Sequence, residues 1–111
     1  MEIRMKKGDI VTIAMQGDYG KPRPAVVFQS ERLITDSVLL IPFTTYLIEE
    51  SKIRILIKPN KNNGLQKISQ TMTEKITAIK KDKIGEVIGK LEPDEIQKIE
   101  QALILLLGLA H

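Results

Sequence analysis

From Pro93 to Leu107 the apolar residues Ile96, Ile99, Leu103 and Leu106 recur at helical spacing, and no earlier stretch of the chain repeats that period. Before it, apolar residues come in short runs separated by glycine, proline, asparagine and charge, the pattern of strands joined by turns. A chain of 111 residues built this way is a strand-rich body with one amphipathic helix packed on it. The fold class expected is mainly β (α+β), a small antiparallel barrel or twisted sheet with a C-terminal helix. At 12.5 kDa it is read as a single domain, residues 1–111.

The elements follow residue by residue. Val11, Ile13 and Met15 alternate with Ile10, Thr12 and Ala14, a strand over 10–15, and residues 16–20 form a glycine-bearing loop. Pro22 and Pro24 bracket Arg23 and bias it toward extended backbone. Ala25–Phe28 reads as a buried strand, and Ser37–Phe43 as another that ends at Thr44-Thr45. Residues 52–58 alternate like a half-exposed strand, and Pro59–Gly64, with its asparagines, is a loop. Residues 69–79 read as one longer strand or a bent pair, and Lys80–Lys83 as a charged turn. Pro93 suits the first helical position, Asp94 and Glu95 put negative charge in the first turn, and Gly108 suits the C-cap. The apolar run Ala102–Leu107 is wide for so small a body and is read either as core or as a subunit interface.

Composition removes several kinds of chemistry. The chain has no cysteine and one histidine, His111, which excludes disulfide scaffolds, thiolate metal sites, cysteine nucleophiles and a Ser–His–Asp triad. No apolar run approaches the roughly 20 residues of a spanning helix, and the first seven residues have no apolar signal core. A cytoplasmic protein without metal or cofactor is expected. Net charge is +3, but residues 92–111 set four carboxylates against Lys98, so the rest of the chain carries 16 basic against 10 acidic groups. Such a body suits a polyanion or an acidic partner. Glu49-Glu50 sits in a polar stretch and reads as a solvated turn.

Three segments then occur in order: Lys7-Gly8-Asp9-Ile10-Val11, Gly20-Lys21-Pro22-Arg23-Pro24-Ala25-Val26-Val27, and Leu40-Ile41-Pro42-Phe43-Thr44-Thr45. With Ile84-Gly85, Ile88-Gly89-Lys90-Leu91 and the closing helix, this series resembles the MazF/PemK family of type II toxin–antitoxin toxins over about residues 6–109. The resemblance implies an SH3-like barrel that dimerises and cuts single-stranded RNA. It also implies a cognate acidic-tailed antitoxin that occupies the basic groove and forms a DNA-binding complex with the toxin. Carried over by position, Arg23 and Thr44 fall on the family's catalytic arginine and threonine, Thr45 stands beside Thr44, and Asp18 matches a loop carboxylate of some members. Lys21, Tyr19, Thr45 and Thr77 are expected to contact RNA. The family's frequent Asp-Gln stands here as Glu74-Lys75, and its downstream arginine as Thr77.

The residue chemistry fits that expectation. Cleavage through the RNA's own 2′-hydroxyl needs a proton acceptor, positive charge for the phosphorane oxygens and a hydrogen-bond donor. Arg23 offers a fixed guanidinium fork and Thr44 a hydroxyl. A regular strand over 69–79 sets Glu74 on a face with Met72, Ile76 and Ala78, where desolvation raises its pKa and suits it to act as base. Asp18, in a glycine-flanked loop, then positions RNA or Arg23. The alternative reading is a barrel weakened by Thr77 that binds an acidic protein or nucleic acid without cutting. A gyrase-poisoning relative is disfavoured because the chain has no tryptophan.

Overall fold

The computed structural model describes residues 5–14 and 21–109. Among the described residues seven strands form one antiparallel, coiled sheet: β1 (Asp9–Ala14), β2 (Pro22–Val27), β3 (Ser37–Thr44), β4 (Leu56–Ile57), β5 (Ser69–Thr71), β6 (Thr77–Lys80) and β7 (Ile84–Lys90). The strand order is β4-β5-β3-β2-β1-β7, with β6 pairing β3 beside β5's extension. Helix α1 (Pro93–Leu107) closes one face, giving the strand-rich, helix-ended half-barrel expected from the pattern.

Both faces of the central strands are buried. Ile10, Val26, Phe28, Ile41 and Phe43 point to the helix side, where they meet Ile57, Leu65, Leu91 and Ile99. Val11, Ile13, Ala25, Val27, Val38 and Leu40 form a second apolar layer on the opposite side, with Met5, Ile79 and Ile84 at its margin. Double-sided burial explains why β2 and β3 read as continuous apolar runs rather than as alternation. Along β1–β7 the register slips between Ile10 and Val11 and again before Ile13, and Thr12 Oγ1 accepts the Glu86 N–H at 3.1 Å. Bulges of this kind bend a strand and tighten its twist, which curls the sheet.

The helix begins and ends as its sequence demands. Pro93 occupies the first turn, and Glu95 Oε1 accepts the Glu92 N–H at 2.8 Å. Gly108, at φ 67°, turns the chain out, and the Leu109 N–H reaches Ile104 O at 3.0 Å. Ile99 and Ala102 are the helix residues fully in the core, with Ile96 and Leu103 packed at its edge. Leu106 departs from the expected apolar stripe: it stands exposed with Ile104, Leu105 and Leu107.

One stretch differs from the sequence reading, and for another the structure takes the bent form of the two left open. Within 52–58 only Leu56–Ile57 is strand, because Ser51 Oγ takes the N–H groups of Ile53 (3.3 Å) and Arg54 (3.0 Å) and turns that segment off the ladder. Residues 69–79 are a bent pair, β5 and β6, with a single-turn 3₁₀ helix at Thr73–Lys75 between them. The charged turn over 80–83 is likewise a 3₁₀ turn, Lys81–Lys83. Strand β7 was not separately anticipated: Gly85 and Gly89 interrupt its pattern, each for lack of room. A Cβ on Gly89 would lie 2.3 Å from the Asn63 carbonyl carbon. Gly89→Ala should therefore lower the unfolding midpoint by more than the few tenths of a kcal/mol of an ordinary surface change, on the order of 1–3 kcal/mol in a urea titration. An unchanged midpoint would mean that the loop yields freely.

Candidate nucleic-acid interface

The β2–β3 ladder pairs Val27 with Leu40, Val26 with Ile41 and Ala25 with Pro42. Pro24 brings no N–H to extend it. Carried two residues further, the same register sets Arg23 across from Thr44, so the two share one side of the sheet. That side is the one away from α1, since Ala25 and Val27 on β2 and Val38 and Leu40 on β3 belong to the second apolar layer. The row continues in both directions: Ile13 pairs Arg23 on β1, and Gln70 pairs Thr44 on β5. Arg23 and Thr44 thus stand where the apolar layer gives out at the strand ends, Arg23 exposed and Thr44 half-buried.

Local chemistry fixes Thr44. Its Oγ1 accepts the Tyr46 N–H at 3.0 Å, so the hydroxyl closes a turn and keeps its own proton to donate. Thr45 follows it, exposed, and Lys21, also exposed, immediately precedes β2. Asp18 and Tyr19 lie outside the described residues.

Glu74 is placed differently from the sequence expectation. It sits in the 3₁₀ turn, not on a strand face with Met72, Ile76 and Ala78, and its carboxylate is bound by Arg54. Arg54 Nε donates to both carboxylate oxygens, at 3.2 and 3.0 Å, and Nη2 adds a further contact to Oε2. The expected upward pKa shift is therefore reversed: the Arg54 hydrogen bonds hold the Glu74 carboxyl below its ordinary value of 4.5, outweighing desolvation. Thr77 begins β6 opposite Leu40, four residues along β3 from Thr44, about 13 Å at strand rise.

Arg54 was missed by sequence reasoning. Its position between Ile53 and Ile55 hinted that it leaves the apolar side, but its partner lies 20 residues away and no local pattern joins them. Gln70, buried beside Thr44, was missed for the same reason.

The fold and the Arg23–Thr44 row define a class: a small antiparallel half-barrel, covered by a helix on one face, with an arginine and a threonine paired at the strand ends of the other. Residues 6–107 match the family described as PemK-like, MazF-like toxin of type II toxin–antitoxin system. A "Probable endoribonuclease MazF" of Mycolicibacterium smegmatis is 36% identical over 108 residues, covering 96% of this chain and 99% of that protein. Among solved structures, a mycobacterial endoribonuclease in complex with its cognate antitoxin superposes with a TM-score of 0.78 at 19% identity, covering 99% of both chains. A MazE–MazF structure from Deinococcus radiodurans gives 0.79 at 16% identity, over 98% of this chain and 100% of that one. The chain belongs to the PemK-like, MazF-like toxin family.

The Glu74–Arg54 pair makes a stability prediction whose sign is fixed. A carboxyl with a lowered folded pKa contributes stability above its unfolded value of 4.5 and loses it as pH falls through the folded value. Glu74→Gln should therefore lower the thermal midpoint at pH 7, and the gap from the unsubstituted protein should narrow as pH falls below 4.5 and through the lowered folded value. Because the Glu74 side chain is 29% exposed, the effect at neutral pH is small. A gap that widens on acidification would show that the carboxylate is not held by Arg54.

Proposed function

We propose that this chain is an endoribonuclease toxin that cuts single-stranded RNA and is neutralised by a cognate, acidic-tailed antitoxin. The observation that carries the reading is the register that brings Arg23 and Thr44 side by side, in a chain 36% identical to a probable endoribonuclease MazF. In this reading the RNA 2′-oxygen attacks the adjacent phosphorus, its proton passes to a base, and the 5′-oxygen leaves with a proton, so a 2′,3′-cyclic phosphate forms. Arg23 neutralises the phosphorane oxygens, and the Thr44 hydroxyl donates to one of them.

With its carboxylate bound to Arg54 and its pKa lowered, Glu74 is poorly suited to act as the base. Asp18, five positions before Arg23, takes the 2′-hydroxyl proton. Lys21, Thr45, Tyr19 and Thr77 contact the strand on either side of the cut. The exposed side chains Ile104, Leu105, Leu106, Leu107 and Leu109 support a homodimer joined at the helix end. The toxin and antitoxin together bind DNA.

Arg23→Ala should lower the cleavage rate about 100-fold or more, with thermal stability nearly unchanged, as expected for loss of one charge-stabilising group at an exposed position. Cleavage should persist in EDTA and leave cyclic phosphate ends. Activity that vanishes with the chelator and returns with magnesium would overturn the mechanism. Sedimentation should show a dimer at micromolar concentration, and a 12.5 kDa species there would refute the helix-end interface.

A further inference from the structure

Gln70 makes an unusual use of its side chain. It is 6% exposed, and its carboxamide bonds a single backbone residue in both senses: Oε1 accepts the Ile48 N–H at 2.8 Å, and Nε2 donates to Ile48 O at 2.8 Å. A side-chain amide so engaged acts as a neighbouring strand, and it ties the loop after β3 to the residue directly opposite Thr44. The loop is fixed at its start by Thr44 Oγ1, which accepts the Tyr46 N–H, and beyond Glu50 (φ 58°) by Ser51 Oγ. Hydrogen bonds fix where this backbone runs, not which way its apolar side chains point. Here they face out: Tyr46 is 80% exposed, Leu47 46% and Ile48 43%.

We infer that Gln70 is a positioning residue for RNA, and that Tyr46, which it holds in place through Ile48, is the stacking platform for an unpaired base next to the scissile phosphate. The inference rests on the ribonuclease reading above. Tyr46 lies two residues from the hydroxyl assigned to the phosphate, so a nucleotide whose phosphate sits at Arg23 and Thr44 has its base beside this loop. An aromatic face binds any base without reading its edge, and a fixed backbone beneath it spares part of the ordering cost at binding. Basic residues flank the loop and the site, namely Lys21, Arg23 and Lys52, and positive charge beside an exposed aromatic ring suits a strand that carries both phosphates and bases.

The test uses the full-length protein and the RNA it cuts fastest. Tyr46→Ala should raise KM about tenfold or more with kcat little changed, whereas Tyr46→Phe should keep the native KM. Tyr46→Trp supplies the chain's sole tryptophan, whose fluorescence should be quenched by a 2′-O-methyl strand of that sequence, which lacks the attacking hydroxyl, and not by an abasic strand. Gln70→Glu separates positioning from mere structure. As the neutral acid it can both donate to and accept from Ile48, and as the carboxylate it cannot donate, so its KM should rise with pH where the unsubstituted protein's does not. An unchanged KM in Tyr46→Ala, or a KM in Gln70→Glu that does not follow pH, overturns the inference while cleavage by the unsubstituted protein leaves the ribonuclease reading standing. A Tyr46→Ala protein that loses antitoxin binding but not RNA affinity also overturns it and assigns the loop to the protein partner. An unsubstituted protein that cuts no RNA overturns both.

Discussion

The structure depends on burial of β2 and β3 from both sides. Val26 and Ile41 face the helix, their neighbours Ala25, Val27 and Leu40 face the second apolar layer, and all five are essentially sealed from water. A slip of one residue between these strands would exchange the two sets and put β-branched side chains against surfaces shaped for others. The register is therefore held by hydrophobic packing along its whole length, and the polar residues beyond it inherit that precision. Arg23 and Thr44 need no hydrogen bond to each other to be neighbours; the packing below them places both. The small β4–β5 unit extends the same row through Thr44 and Gln70.

This arrangement separates two tasks that compete in many small domains. The helix completes one apolar layer on the face away from Arg23 and Thr44, and its termini follow ordinary capping rules. The opposite layer ends abruptly at the strand ends, where Pro24 stops the ladder and an exposed arginine and a half-buried threonine stand in sequence with the last apolar pair. Elsewhere charge is balanced locally: Arg54 and Glu74 pair beside the 3₁₀ turn, and the carboxylate is kept ionised by its partner, not neutralised by burial.

The sequence made the larger outline legible because each part of it rests on local rules. Proline at the first turn, glycine at the C-cap and the spacing of Ile96, Ile99 and Leu103 define α1 without reference to any other element. Double-sided burial marks β2 and β3, and the ordered motifs point to Arg23 and Thr44. What escaped the sequence depends on side-chain hydrogen bonds that alternation does not reveal, one of them local and the others between residues far apart in the chain. The Ser51 hydroxyl withdraws residues 53 and 54 from a strand whose alternation looked sound, and Arg54 then turns to a carboxylate in a 3₁₀ turn that alternation had read as strand. The pKa of Glu74 was misjudged for that reason, since its direction follows from the partner and not from its neighbours in sequence. Gln70 was hidden in the same way: a glutamine in a polar stretch has no signature until the loop it grips is seen.

The asparagine loop after β4 has a consequence for how the molecule meets its own copies. Asn60 and Asn63 brace that loop internally, with Asn63 Nδ2 on Lys58 O and Asn60 Oδ1 on two backbone N–H groups, and Asn62 O accepts the Lys90 N–H at 2.9 Å. Gly89 leaves no space between loop and strand. An outermost strand normally offers a row of unused backbone groups on which another chain can add itself, the route to runaway aggregation. Here the C-terminal stretch of β7 has that row shielded from within the same molecule. Strand addition along this stretch of β7 is thereby discouraged.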